Sequence, residues 1–237
     1  MIERVAETGS TNGDLLARLA GGTAVAEGHW LVADRQAQGR GRLGRAWSDG
    51  AGNFMGSTVV HLGPGDPPAG SLALAIGLAL AEAVAPWVPA PAHPLLKWPN
   101  DVMIGTAKLA GILLERVGDA VVVGVGVNLV AAPEIAGRAT VALTQFGPAP
   151  DRDDFAATLA AAVAAEVQRW RAYGLGPQIA RWSAAAHPVG TPLTVSQPGG
   201  AAPISGWFAG LAEDGALRLA MADGSAHTIH AGDISFG

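Results

Sequence analysis

The sequence predicts a domain of mixed α and β structure with a small β-barrel appended. Three observations carry this. The run VVVGVGVNLV, residues 121–130, is apolar at nearly every position, as expected of a central strand covered on both faces. Two long apolar-periodic stretches, about 70–85 and 151–173, read as helices that could cover it. After residue 190 the strand-like segments become short and closely spaced, with Asp-Gly pairs at 214–215 and 223–224 marking hairpin turns.

Taken in order, Ser10-Thr11-Asn12 cap a short helix that carries Asp14 in its first turn and stops at Gly21-Gly22. Trp30–Ala33 reads as a strand leading into the loop Gln36–Trp47, QAQGRGRLGRAW. A second strand spans Asn53–Leu62, after the turn SDGAG. The helix from about Gly70 to Ala85 ends in a proline-rich connection through Pro86, Pro89, Pro91 and Pro94. Strands are expected at Leu95–Trp98, Val102–Ile104, Leu109–Val117 and Ala120–Val130, with a hairpin turn at Gly118-Asp119. In the helix over 151–173, Phe155, Leu159, Val163 and Val167 recur every four residues; a short helix follows from Pro177 to before Pro188. Leu193–Val195, Ile204–Phe208, Leu217–Met221 and His227–Ile229 complete the chain as short strands.

Composition narrows the function. Of 237 residues, 49% are hydrophobic and 15% charged, enough for a packed core. The net charge of −5 argues against general nucleic-acid binding, which needs a basic face. With no cysteine there is no disulfide, thiol nucleophile or cysteine metal site. The N-terminal residues lack a secretory pattern, and the apolar run Leu72–Ala85 falls short of the roughly 20 residues a membrane span needs, so a cytoplasmic protein without membrane association is expected.

The loop Gln36–Trp47 holds three glycines, three arginines and no acid, an arrangement suited to an anion. Gly39, Gly41 and Gly44 match G-x-G-x-x-G, but no helix follows, so a dinucleotide fold is disfavoured; no Gly-Lys-Ser/Thr follows either, which excludes a P-loop. On an extended backbone Arg40 and Arg42 would share a face and reach one ligand together. A solvated basic loop is the plain alternative.

The chain has thirteen arginines but only two lysines, Lys97 and Lys108. Both flank the turn Trp98-Pro99-Asn100-Asp101, where a compact ammonium rather than a planar fork is wanted. Asn100 and Asp101 offer an amide and a carboxylate for a nucleotide or magnesium. Asn128 is a polar residue in an apolar strand and serves either a ligand or an internal network. His227 and His230 face opposite sides of a strand and make a poor metal pair. Met103 and Trp98 read as core, and Asp151, Asp153 and Asp154 as a solvated first turn.

Ser10-Thr11-Asn12, GRGRLGRAW, KWPND, KLAGIL and GVGVN, in this order and at these intervals, resemble the biotin–protein ligases. The segment ISGWFAGLAEDGALRLAMADGSAHTIHAGDIS is similar to that family's SH3-like C-terminal domain. The resemblance implies an α+β fold, a mixed β-sheet with packed helices in a catalytic domain over 1–188, and an SH3-like barrel over 189–237. It implies activation of biotin by ATP and Mg2+ to biotinyl-5′-AMP, then transfer to a lysine of a biotin carboxyl carrier protein.

By resemblance, Ser10, Thr11 and Gln36 fall to the biotin ureido ring, and Asn12 is a further biotin-binding residue. Arg40, Arg42 and Lys108 fall near the biotin carboxylate and phosphate, Gly111 is similar to a backbone contact, and Gly39 and Gly41 are also biotin-binding by resemblance. Arg45, Trp47, Lys97, Asn100, Asp101 and Asn128 fall with Arg42 on the adenylate side. Lys108 and Arg42 are the catalytic candidates, and no magnesium ligand is assigned. The loop is expected to be a lid, mobile without ligand. Members with a DNA-binding helix-turn-helix carry it before the Ser-Thr-Asn motif; this sequence reaches that motif at residue 10, so no direct DNA binding is expected, and a homodimer is left open. A lipoate ligase and a non-catalytic biotin-binding regulator are the alternatives.

Overall fold

The computed structural model describes residues 1–197, 199 and 202–236. Seven strands form one sheet: β1 (Ile2–Thr8), β2 (Trp30–Gln36), β3 (Phe54–His61), β4 (Pro94–Lys97), β5 (Asp101–Ile104), β6 (Ala107–Val117) and β7 (Ala120–Val127). Their order is β1-β2-β3-β7-β6-β5-β4, with β1 and β2 parallel and every other pair antiparallel. Five further strands, β8 (Pro192–Ser196), β9 (Ile204–Leu211), β10 (Leu217–Ala220), β11 (Ala226–Ile229) and β12 (Asp233–Phe236), form an antiparallel sheet ordered β11-β10-β9-β8-β12. The mixed sheet and the small C-terminal sheet follow the sequence expectation. Strands β1 and β12 do not appear in it: IERVAET mixes charges into a sheet edge, and DISF is too short to show a period.

The central strand is covered on both faces, as expected, but unevenly. On one face Val122 packs with Leu15, Leu31 and Val59. Val121, Val123, Val125 and Val127 enter the main core with α2 (Leu72–Val84) and α3 (Arg152–Tyr173). The alternate positions Gly124 and Gly126 carry no side chain on the opposite face, where α1 (Thr11–Ala20) packs nearby. Sequence alone scores glycine as neutral, so a covered strand and a half-vacated one look alike.

Helix α2 is buried almost all round, including Leu72, Ala75, Ile76, Ala79 and Leu80 at full burial. With its flanking 3-10 turns it runs Ala69–Trp87, long and apolar enough by length and composition to cross a membrane, so the expectation of a shorter run is corrected. Its apolar surface is nonetheless taken up by packing, with 61% of the stretch buried inside the fold. Helix α4 (Leu175–Ala184) is tied to α3 through buried Glu166, which accepts from Arg181 at 2.7 and 2.8 Å and from Arg169. Burial alone would raise the Glu166 pKa; the two guanidinium groups outweigh it and pull it down.

Helix α1 begins as the sequence indicates. Ser10 is extended (φ −162, ψ 128) and its hydroxyl accepts from the Gly13 N–H, a cap worth about 1 kcal/mol. Arg18 in its last turn donates to both oxygens of Glu3 on β1, at 2.6 and 2.7 Å. The Thr11 N–H, donating to Gln36 Oε1 at 2.8 Å, sets the helix start beside the end of β2.

Candidate active site

A cavity of about 730 Å3 opens on the glycine face of the sheet. Its floor is made by absent side chains. Gly111 on β6 pairs in register with Gly126 on β7. A Cβ at Gly126 would sit 2.3 Å from the Trp47 indole, one at Gly111 2.9 Å from the Lys108 ammonium, and one at Gly124 2.4 Å from Asn12 Oδ1. The sheet is left bare here so that polar and aromatic groups can lie directly on its backbone.

One end of the cavity is a buried network of neutral groups. The Thr11 N–H donates to Gln36 Oε1 at 2.8 Å, and the Thr11 hydroxyl lies 3.1 Å from the same oxygen and 2.7 Å from Ser57 Oγ. Ser57 Oγ donates to Asn12 Oδ1 at 2.6 Å, and Asn12 Nδ2 donates to Glu115 Oε2 at 2.8 Å. Ser10, Thr11, Asn12, Gln36 and Ser57 are all buried.

The other end is cationic. Lys108 donates to Asp101 Oδ1, and Lys97 lies 3.9 Å from the other oxygen of the same carboxylate. Burial lowers the Lys97 pKa against the opposing pull of Asp101, with the Arg138 and Lys108 charges adding to the fall. Burial also lowers the Arg42 pKa, opposed by Asp233 and Asp101. Asn100 is fixed between two partners: its Nδ2 donates to the Ile112 carbonyl at 2.6 Å, and its Oδ1 accepts from Arg42 at 3.2 Å.

The glycine–arginine loop is a narrow hairpin-like excursion rather than an extended arm. Trp47 N–H donates to Gly39 O at 2.9 Å, Arg40 bridges Ala46, and Gly41 N–H donates to Arg45 O at 2.7 Å. At its tip Leu43 adopts a left-handed backbone (φ 57, ψ 33) and stays 64% exposed. The sequence expectation is that Arg40 and Arg42 reach one ligand together. Both line the cavity, but Arg40 faces Glu115 at 3.9 Å, while Arg42 turns to Asn100, the Gly232 carbonyl and Asp233. Arg45 donates to Asp233 at 2.8 Å, joining the tip to the C-terminal sheet.

Of the residues singled out from sequence, Ser10, Thr11, Asn12, Gln36, Arg40, Gly41, Arg42, Arg45, Trp47, Lys97, Asn100, Asp101, Lys108, Gly111 and Asn128 all line this cavity. Gly39 does not; it closes the base of the loop, where a Cβ would stand 2.7 Å from the Trp47 carbonyl. Asn128 resolves toward the network: its Nδ2 donates to the Val141 and Lys108 carbonyls at 3.1 and 3.4 Å. Trp98 and Met103 are buried, as expected, and Trp98 Nε1 donates to Gly215 O across to the C-terminal sheet.

Sequence reasoning missed four contributors. Ser57 hides in an apolar strand, and Glu115 is a lone acid late in β6 that no motif marks. Asp233 lies in a strand too short to detect. Arg138 lies in the irregular segment 131–140, which forms a second wall held by Lys108 N–H donating to Ala139 O and Val141 N–H to Lys108 O.

Residues 10–128 match the Biotin/lipoate A/B protein ligase family, and residues 194–237 match the Biotin protein ligase C terminal domain. The chain belongs to the biotin protein ligases. It is 38% identical to the biotin–[acetyl-CoA-carboxylase] ligase of Mycobacterium tuberculosis over 98% of this chain and 88% of that protein. It is 37% identical to the Paracoccus denitrificans ligase of the same name, over 98% and 99%. Its structure superposes with a TM-score of 0.83 on a biotin protein ligase from Aquifex aeolicus in complex with biotin and ATP, 27% identical, covering 99% and 97% of the two chains.

As members of this family, the two sheets are the ligase catalytic domain and its C-terminal domain. The carboxylates lining the ligase cavity include Asp101, Glu134 and Asp233, but among the described residues no three acidic or histidine side chains form a metal-holding group. Magnesium is usually held by one or two carboxylates with substrate phosphates rather than by an all-protein cage, and of these carboxylates Asp101 is already paired with two lysines.

Proposed function

We propose that this ligase activates biotin with ATP and transfers it to a specific lysine of the biotin carboxyl carrier domain of acetyl-CoA carboxylase. The observation that supports it best is the polarity of the cavity. A neutral, buried hydrogen-bonding end suits a ureido ring, a side-chain-free floor suits an apolar ring and tail, and a cluster of lysines and arginines suits a carboxylate meeting a phosphate.

In the first step a biotin carboxylate oxygen attacks the α-phosphorus; the new P–O bond forms as the bond to pyrophosphate breaks, and pyrophosphate leaves. Lys108, aimed by Asp101, and Arg42, held by Asn100, neutralise the two anions as they approach and the charge on the phosphoryl oxygens. In the second step the carrier amine attacks the anhydride carbonyl, the C–N bond forms, AMP leaves and the amine proton passes to solvent.

Ser10, Thr11 and Gln36 take the ureido ring, and Arg40 and Gly111 the biotin body. Arg45, Trp47, Lys97, Asn100, Asp101 and Asn128 frame the nucleotide. The Trp47 Nε1–H is buried without a partner among the described residues, a donor that a ligand oxygen would satisfy. Magnesium enters with ATP, held by the phosphates. We divide the chain into a catalytic unit over 1–188 and a C-terminal unit over 189–237. A cytoplasmic setting is supported by the ATP dependence, and the net charge of −5 gives no electrostatic basis for nonspecific DNA binding.

The test is incubation with biotin, ATP, magnesium and a carrier domain, read by mass. One biotinyl increment on the carrier is expected. Biotin binding without transfer would favour a regulator, and pyrophosphate exchange driven by lipoate instead of biotin would favour a lipoate ligase.

A further inference from the structure

Glu115 stands on the site face of β6, two residues beyond Leu113 and four beyond Gly111, yet Asn12 separates it from the cavity. It ends a chain of hydrogen bonds whose other members are nearly inaccessible: Asn12 and Thr11 are 3% exposed and Ser57 is fully buried. Buried hydroxyl and amide groups keep one orientation only when each proton has an assigned acceptor. Glu115 makes that assignment.

An ionised carboxylate accepts and cannot donate. Asn12 must therefore turn Nδ2 toward Glu115 (2.8 Å) and Oδ1 toward Ser57, whose hydroxyl donates to it (2.6 Å). The single Ser57 proton is then used, so the 2.7 Å contact with Thr11 is filled by the Thr11 hydroxyl donating to Ser57, with Gln36 Oε1 at 3.1 Å the longer, weaker share of the same proton. Thr11 Oγ1 keeps its lone pairs for the cavity. Gln36, whose Oε1 accepts from the Thr11 N–H at 2.8 Å, keeps its Nε2 donors.

We infer that Glu115 is a positioning residue for the biotin ureido group, acting through Asn12 and Ser57 to make Thr11 an acceptor of a ligand N–H beside the Gln36 amide donor. An N–H next to a C=O is the edge that a cyclic urea presents. Because all the bonds run toward an anion, each strengthens the next, and the Thr11 oxygen becomes a better acceptor than an isolated hydroxyl.

Without Glu115 the chain can reverse. Asn12 turns its amide, Ser57 donates to Thr11, and Thr11 donates to Gln36 Oε1, already 3.1 Å away. The reversed network is internally satisfied but offers a poorer acceptor to the ligand. Arg40, 3.9 Å from Glu115, adds a second reason for this end to be polarised.

This inference rests on the biotin ligase assignment, and the experiment separates the two. Biotin-dependent ATP–pyrophosphate exchange is measured for the wild type, Glu115→Ala, Glu115→Gln, Asn12→Ala and the double Ala variant. Glu115→Ala is expected to raise the KM for biotin about tenfold, since a bond to a charged group is lost from the chain, with kcat and the KM for ATP changed less than about twofold. Glu115→Gln, isosteric but able to donate as well as accept, falls between wild type and Ala, and decides the matter if the Ala variant fails to fold. In the Asn12→Ala background, loss of Glu115 should add less than about twofold.

An unchanged biotin KM would overturn the inference, as would the same rise in the Asn12→Ala background. So would parallel losses in kcat and ATP affinity, which mark a general structural role. A wild type without biotin-dependent exchange would instead overturn the assigned function.

Discussion

The two ends of the cavity are built on opposite plans. The closed end is made of neutral groups on α1, β2 and β3, hydrogen-bonded to one another and anchored on the Glu115 carboxylate of β6 before any ligand arrives. The cationic end is assembled from the loop over 39–47, the β4–β5 turn, the wall over 131–140 and β12, segments far apart in the chain. Its charges are matched to carboxylates of the protein: Lys97 and Lys108 to Asp101, Arg42 and Arg45 to Asp233. On the proposed function, the first end would recognise by fixed pattern and the second would exchange partners as anions enter.

That contrast orders the effects of mutation. The largest is expected from Lys108→Ala, which removes the ammonium nearest both the floor and Asp101. It should lower exchange about a hundredfold or more while leaving thermal unfolding close to wild type. Near-normal exchange would mean that the cationic end does not carry the chemistry.

Next is Gly124→Ala, whose Cβ would sit 2.4 Å from Asn12 Oδ1. The network at the closed end must shift to make room, at about 1–3 kcal/mol of stability. The biotin KM should rise about tenfold with the ATP KM unmoved; if ATP suffers equally, the two ends are not independent.

Asp233→Asn should act more gently. The Arg45–Asp233 pair is part-exposed, and such pairs are worth about 0–1 kcal/mol. Biotinyl-adenylate should leave about two- to fivefold faster, and protease should cut between 41 and 47 more readily. An unchanged release rate would show that β12 does not latch the loop.

The smallest effect concerns acid stability of the closed end. Hydrogen bonds from Arg18 hold the Glu3 pKa down to about 2, opposed by burial and aided by His29. A lowered carboxylate pKa stabilises the fold above its unfolded value, near 4.5, and that stability is lost as pH falls toward about 2. Glu3 is about one-third exposed, so screening reduces the effect. Unfolding followed by α1 probes should steepen over that window in wild type and flatten in Glu3→Gln. Identical curves would leave the Arg18–Glu3 contact without a role in seating α1.

Much of this site was legible because motif residues carry their own chemistry. A scarce lysine, a proline-preset turn and a capped helix can each be read locally. What escaped depends on neighbours in space. Ser57 and Glu115 become a network only when β3 and β6 flank β7. The divergence of Arg40 and Arg42 follows from partners distant in the chain, Glu115 for one and Asn100 and Asp233 for the other. Asp233 matters because β12 reaches the loop tip from a second sheet. In the fold, the helices and central strands showed through periodicity, whereas IERVAET at an edge and DISF did not.

The bare floor gives the molecule an adjustable gauge. Positions 111, 124 and 126 project from backbone held rigidly in register, so a side chain introduced at any of them advances into the trough along a known direction. Position 124 would encroach on the closed end and position 126 on the indole above the middle. A graded series at 126, from alanine to valine, would shorten the space in steps and re-set which acid fits, leaving both polar ends chemically intact. Ligand choice in this protein is written partly in atoms it does not have.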